Sequence, residues 1–213
     1  MIAISTAYKE ALIAIEIDSK KTFKSLDSNC KHSENLLYNI DKMLDDINCS
    51  IRDNKSLAVV VGPGSFTGIR IGIALAKGIS SAMEGENSIN LIKLTTFDLM
   101  AYSYIKNNKP DKDFYCAINA LSGLYYICRF DKKGNKLGDE KLIDTETFKK
   151  LKGIVVSLEE EGITDEVIKP TPEELLEISK IMEEKGLFID ENQLLPLYLR
   201  KSQAELSLEL KEN

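Results

Sequence analysis

Val60-Val61-Gly62-Pro63-Gly64-Ser65-Phe66-Thr67-Gly68-Ile69-Arg70-Ile71-Gly72 joins an apolar, β-branched run to a helix studded with glycine, and this junction decides how the rest of the chain is read. Leu57 to Val61 has the composition of a buried parallel strand, Gly62-Pro63-Gly64 stops it, and the spacing predicts a helix from Phe66 to Met83. Ser65 stands where its side chain can cap the first free N–H groups of that helix, and the same N–H groups suit an anion. Gly62, Gly64 and Ser65 are therefore the candidate cofactor-binding residues.

Three familiar motifs fail here. A P-loop needs a lysine after its second glycine, and Gly68 is followed by Ile69. The dinucleotide fingerprint G-x-G-x-x-G is missed by one residue, because Gly62, Gly64 and Gly68 are spaced G-x-G-x-x-x-G. A nucleophile elbow G-x-S-x-G is absent, since the positions two before and two after Ser65 hold Pro63 and Thr67.

Gly68, Gly72 and Ala76 recur at i, i+4 and i+8, forming one smooth stripe on the helix. Each interior glycine costs about 1 kcal/mol relative to alanine, so the helix is offset by close packing against something. Two occupants fit: another element of the same chain, or a helix of a second protein.

The chain has 213 residues, 43% of them hydrophobic, enough for one large domain or two modest lobes. No signal-like start and no apolar run of about 18 to 20 residues is present, so the expected location is the cytoplasm, away from membranes. Cys30, Cys49, Cys116 and Cys128 are widely separated, with no C-x-x-C pair, and read as free thiols. A net charge of −6 excludes a broad basic surface for nucleic acid, and the lysines between Lys106 and Lys112 are diluted by Asp111 and Asp113.

Along the chain, Met1–Ile4 and Ala11–Ile17 read as a hairpin, with a third strand around Phe23, followed by an amphipathic helix from Ser33 to Ile47. Ile89–Leu94 is a strand and Thr96–Ile105 a helix. The pattern then restarts with strands Phe114–Ile118, Leu124–Phe130 and Lys136–Ile143, a short helix Thr145–Leu151, strand Ile154–Leu158 and a helix opened by Thr171-Pro172-Glu173-Glu174. Leu206 to Lys211 reads as a terminal helix.

GPGSFTGIRIG with the following ALAKG, Lys31-His32-Ser33-Glu34-Asn35-Leu36-Leu37 upstream and Pro196-Leu197-Tyr198-Leu199-Arg200 near the end resemble the bacterial TsaB (YeaZ) family over nearly the whole chain. The resemblance implies an α/β, two-lobed actin/sugar-kinase/Hsp70-like fold with a reduced second lobe: residues 1–105 as the first lobe, joined by a C-terminal helix 200–213, and 106–199 as the second. It also implies a non-catalytic sibling of TsaD, a metal-dependent enzyme forming threonylcarbamoyladenosine in tRNA. The two histidines of that sibling's metal-binding H-x-x-x-H would fall at Thr96 and Met100, neither a good ligand for a first-row metal, and His32 is the single histidine of the chain. Two other family words are altered: the Asp-Thr-Ser turn reads Ser5-Thr6-Ala7, and an Asp-Ala-Arg word reads Asn119-Ala120-Leu121.

The resemblance further implies partners: a TsaD-like enzyme, a TsaE-like ATPase, a second copy of this chain when alone, and tRNA only through the complex. ATP and metal are expected on the partner subunits, with no cofactor of the chain's own. The expected partner-binding residues are His32, Leu36, Ile40, Met43, Thr67, Gly68, Arg70, Ile71, Gly72 and Ala76. Two other classes stand beside this one: a stand-alone ATP-dependent or peptidase-like enzyme of the same superfold, and a homodimeric structural protein.

Overall fold

The computed structural model describes residues 1–27, 32–83, 85, 88–160 and 164–199. Cys30, Arg200, the expected helix 200–213 and the side chain of His32 lie outside the described residues.

Among the described residues, β1 (Ile2–Ser5), β2 (Ala11–Ile17) and β3 (Lys20–Leu26) form an antiparallel meander, and β4 (Ser56–Val60) and β5 (Asn90–Leu94) extend it in parallel, giving the order β3-β2-β1-β4-β5. The second sheet repeats the plan. β6 (Phe114–Asn119), β7 (Leu124–Phe130) and β8 (Lys141–Asp144) are antiparallel, while β9 (Ile154–Ser157) and β10 (Glu166–Val167) add in parallel, so its order is β8-β7-β6-β9-β10. Two lobes of one topology make this the actin/sugar-kinase/Hsp70 architecture.

The helices differ between the lobes. In the first, α1 (His32–Asp46) and α2 (Phe66–Ala82) connect β3 to β4 and β4 to β5. In the second, the equivalent of α1 is only α4 (Thr145–Phe148), and no described residue between β9 and β10 is helical. Among the described residues, the second lobe is reduced because its crossovers carry no helix of the length of α1 or α2.

α3 (Thr96–Asn108) and α5 (Pro172–Glu184) lie between the sheets and exchange places relative to the sequence reading. α3, expected in the first lobe, buries Phe97, Met100 and Tyr104 against Phe114, Phe130 and Val156 of the second sheet. α5, expected in the second lobe, buries Leu175, Leu176 and Ile178 in the first core, and its Lys180 pairs with Glu16 of β2 at 2.9 Å. The 105/106 boundary thus separates the sheets but not the helices. Each helix has a second side to satisfy, and Tyr102 donates to Glu177 at 2.9 Å across the helix pair.

The sequence predicts a strand from Lys136, and Lys136 does bridge Phe130 of β7, but the regular ladder begins only at Lys141. Gly138 adopts φ +126°, and the Lys136 side chain turns toward Asp98 at 3.2 Å and Glu140 at 2.6 Å. β10, two residues long, has no signal that periodicity could register.

Cys116 and Cys128 face each other across β6 and β7. Burial pushes the Cys116 thiol well above its ordinary 9.0 and that of Cys128 up to about 12. Both folded values are raised, so the stability these protonated thiols contribute is complete below the ordinary value and declines as pH rises toward about 12. In native protein at pH 8, iodoacetamide is expected to label the half-buried Cys49 while Cys116 and Cys128 react only after denaturant is added, as peptide mass mapping would read. Rapid native labelling of Cys116 would contradict this packing.

Candidate functional site

The glycine turn is closed from within. The Ser65 N–H donates to the Ala7 carbonyl at 2.7 Å, Ser65 Oγ caps the Gly68 N–H at 3.2 Å, and the Thr96 N–H and Oγ1 donate to the Gly62 and Pro63 carbonyls at 2.8 and 2.6 Å. A Cβ built on Gly64, which has φ +155°, would lie 2.0 Å from the Ala7 oxygen. Gly62, Gly64 and Ser65 therefore frame no open cradle for an anion. Their space is filled by the loop after β1.

The same loop explains the stripe. Thr6 Oγ1 donates to the Gly68 carbonyl at 2.7 Å, and a Cβ on Gly68 or Gly72 would meet Thr6 O at 1.9 Å or Thr6 Oγ1 at 2.4 Å. Of the two occupants open to the stripe, the one present is the chain itself. Gly68, Gly72 and Ala76 are buried in this contact and the first core, and Leu36, Ile40 and Met43 point from α1 into that core. These six expected partner-binding residues are buried in internal packing, because the flanks of α1 and α2 that carry them rest on the first lobe's own sheet and loop, although Ile40 also lies at the floor of a groove between the two helices. Thr67, Arg70 and Ile71 remain on the outside, the last half-buried.

The outward face uses other residues. Leu37 and Tyr38 of α1 are 56% and 64% exposed, and Phe66 of α2 is 51% exposed. Leu37, Asp41, Ala74, Leu75, Gly78 and Ala82 line a groove of about 480 Å³ between the helices. Nothing lies within 4 Å of a Cβ built on Gly78, so internal packing gives no reason for that glycine. Ala74, Gly78 and Ala82 form a second small-residue stripe at i, i+4 and i+8, facing out. A signal for it was present in the sequence: in the 17 residues of α2 only Arg70 and Lys77 are charged, which makes the helix apolar on more than one side.

At the start of this face, the Arg70 guanidinium lies 3.9 Å from the centre of the Phe66 ring, and its Nε donates to Tyr198 Oη at 2.8 Å. Tyr198 is placed by a chain segment that pairs with β4's exit, where the Leu197 N–H donates to the Val61 carbonyl at 2.9 Å. Arg70 thus sits in an aromatic clamp at the exposed start of α2.

The positions of the sibling's metal ligands do not fit a metal. Thr96 is buried with its hydroxyl on Pro63, and Met100 is fully buried in the second core. Among the described residues, no group of three His, Cys, Asp or Glu side chains is arranged to hold an ion. Between the lobes lies a cleft of about 500 Å³ lined by Ser5, Tyr8, Lys9, Leu99, Glu159 and Lys169 among others. Lys9 pairs with Glu159 across it, and hydrogen bonds from Lys9 and Tyr8 hold the Glu159 carboxyl below its ordinary range. At the altered second word, Leu121 and Ser122 adopt φ +63° and +56°, and the Leu121 N–H donates to Asn119 Oδ1 at 2.7 Å, so this word forms a tight turn.

A sequence model of the TsaD family, described as tRNA N6-adenosine threonylcarbamoyltransferase, matches residues 27–181. Among curated proteins, the tRNA threonylcarbamoyladenosine biosynthesis protein TsaB of Escherichia coli K12 is 28% identical over 100% of this chain and 99% of its own. The protein of that name from Buchnera aphidicola subsp. Schizaphis graminum is 31% identical over 59% of this chain, a match spanning only 58% of the relative. In the solved structures, a Pseudomonas aeruginosa protein described as similar to peptidase YeaZ superposes with TM-score 0.77 at 19% identity, covering 93% of this chain and 98% of that one. YeaZ from the same organism gives 0.75 at 18% identity, with the same coverage. No helix among the described residues is long and apolar enough to cross a membrane. With its doubled sheet topology, its glycine helix and these matches, the chain belongs to the TsaD family and, within it, to the TsaB (YeaZ) group.

Proposed function

We propose that this chain is a non-catalytic subunit that docks on a TsaD-family enzyme and activates threonylcarbamoyl transfer to the adenosine beside the anticodon of tRNA. The observation that carries this reading is the outward face of α1 and α2, where Leu37, Leu75 and the Ala74–Gly78–Ala82 stripe leave an apolar groove shaped for another helix. Apolar patches of this kind on folded proteins mark interaction sites. The buried Thr96 and Met100 at the metal positions support a chain that contributes contacts and not chemistry. In this reading the chain works in the cytoplasm and brings no cofactor. ATP and metal reside on the TsaD-like enzyme and a TsaE-like ATPase, tRNA is met through the complex, and the same face pairs two copies when the enzyme is absent.

The interlobe cleft favours a second reading, a stand-alone ATP-dependent or peptidase-like enzyme. Reconstitution separates the two. Transfer to tRNA by the cognate TsaD-like enzyme and TsaE-like ATPase is expected to fall at least about 100-fold without this chain, equivalent to about 2.7 kcal/mol in the barrier. This chain alone is expected to turn over neither ATP nor peptide. Transfer indifferent to its presence would remove the activating role, and hydrolysis by the purified chain, lost on altering the cleft residues Lys9 or Glu159, would establish the second reading.

A further inference from the structure

Arg70 is a surface arginine already immobilised by the fold. Its guanidinium carbon lies 3.9 Å and 5.8 Å from the ring centres of Phe66 and Tyr198, and the two rings stack with centroids 5.4 Å apart. Tyr198 is itself fixed, because Leu194 is buried in the first core and Leu197 is bonded to Val61. Among the described residues, no Asp or Glu pairs with Arg70. With Nε engaged by Tyr198, the terminal amino groups keep their N–H donors at an exposed edge of the cluster. Side-chain entropy is a main cost of engaging a surface arginine, and here it is met on folding, before any ligand arrives.

We propose that the Phe66–Arg70–Tyr198 cluster is a preorganised receptor for a carboxylate on the docking segment of the partner protein, and that it sets the register of that segment along the α1/α2 groove. The inference rests on the docking reading above. Arg70 is one helical turn before Ala74, so the receptor is continuous with the groove on the same face of α2. A planar guanidinium fork matches a carboxylate with two parallel hydrogen bonds, which supplies direction that an apolar groove lacks. A nucleic-acid phosphate has the same local chemistry, but the neighbouring α1 exposes Asp41, Asp45 and Asp46 and the chain carries −6 overall, which repels a polyanion. Arginine and tyrosine at the edge of an apolar groove also have the composition of an interface hot spot.

The test is calorimetric titration of the full-length chain with its cognate TsaD-family enzyme, at two salt concentrations, for wild type, Arg70→Gln, Arg70→Lys and Tyr198→Phe. Arg70→Gln is expected to weaken binding at least 30-fold and to flatten its salt dependence. Arg70→Lys, which keeps the charge but loses the fork, should lie about 10-fold below wild type, and Tyr198→Phe, which loses only the hydrogen bond that aims the fork, a few-fold below. Wild-type binding with Arg70→Gln within twofold overturns the receptor and leaves the docking reading standing. No binding by wild type overturns the docking reading and the receptor with it. Equal weakening in Arg70→Lys and Arg70→Gln, accompanied by a matching loss of thermal stability in the isolated chain, assigns Arg70 to holding Tyr198 and overturns the receptor. Binding of tRNA by the isolated chain that disappears in Arg70→Gln assigns the cluster to phosphate and also overturns it.

Discussion

Gly68→Ala is expected to destabilise the isolated chain by about 3 kcal/mol or more, a large part of the 5–15 kcal/mol available to a domain. The new Cβ would fall 1.9 Å from the carbonyl oxygen of Thr6, and backbone cannot rotate out of the way as a side chain can. Retreat of the loop is blocked from two sides, by Ser65 N–H on Ala7 and Thr6 Oγ1 on the Gly68 carbonyl, both at 2.7 Å. Gly72→Ala meets only Thr6 Oγ1, at 2.4 Å. The hydroxyl can turn away, at the loss of its buried hydrogen bond, for about 1–3 kcal/mol. Gly78→Ala meets nothing within 4 Å and gains helix propensity, so it should stabilise by about 0.8–1 kcal/mol. Urea denaturation of the three variants gives the order directly. An unchanged midpoint for Gly68→Ala would mean that α2 does not rest on the loop after β1.

Gly78→Leu is expected to leave the isolated chain as stable as wild type or slightly more so, and to reduce affinity for the TsaD-family partner about 100-fold, or 2.7 kcal/mol. The two effects part because Gly78 faces the open groove: leucine there finds room and favours the helix, while a partner helix loses its close approach over Ala74 and Ala82. Leu37→Glu on the facing helix should act in the same direction, since Leu37 is 56% exposed and contributes apolar surface to the groove without supporting the core. A bulky residue at Gly72 would not serve, because that glycine is buried and the variant would report on folding. Thermal melts of each chain with surface-plasmon titration of the partner measure both quantities. Affinity within twofold of wild type for Gly78→Leu places the docking surface elsewhere on the molecule.

Much of the fold was legible because its signals are local. The cap at Ser65, the proline start of α5 at Thr171-Pro172, the β-branched run of β4 and the restart of strands after residue 113 each lie within a few residues of the structure they specify. The residues at the positions of the sibling's metal ligands, Thr96 and Met100, were equally legible, since their identity is local to the sequence. Less could be read of the packing directions. α5 belongs to the first sheet because Lys180 finds Glu16 and Leu175 finds the first core, a pairing that spans most of the chain and leaves no mark in either segment alone. The aromatic clamp on Arg70 joins residues 128 positions apart.

The glycine helix holds both outcomes within one element. The sequence by itself determined that α2 is a capped helix with a small-residue stripe at Gly68, Gly72 and Ala76 that needs a closely packed neighbour, because these properties follow from spacing at i and i+4. Only the tertiary structure decided that Gly68 and Gly72 pack inward while Gly78 looks out. That choice is made by the loop at Thr6, whose carbonyl lands on one stripe because β1 pairs with β4, and no periodicity within the helix records where a loop 62 residues upstream will come to rest.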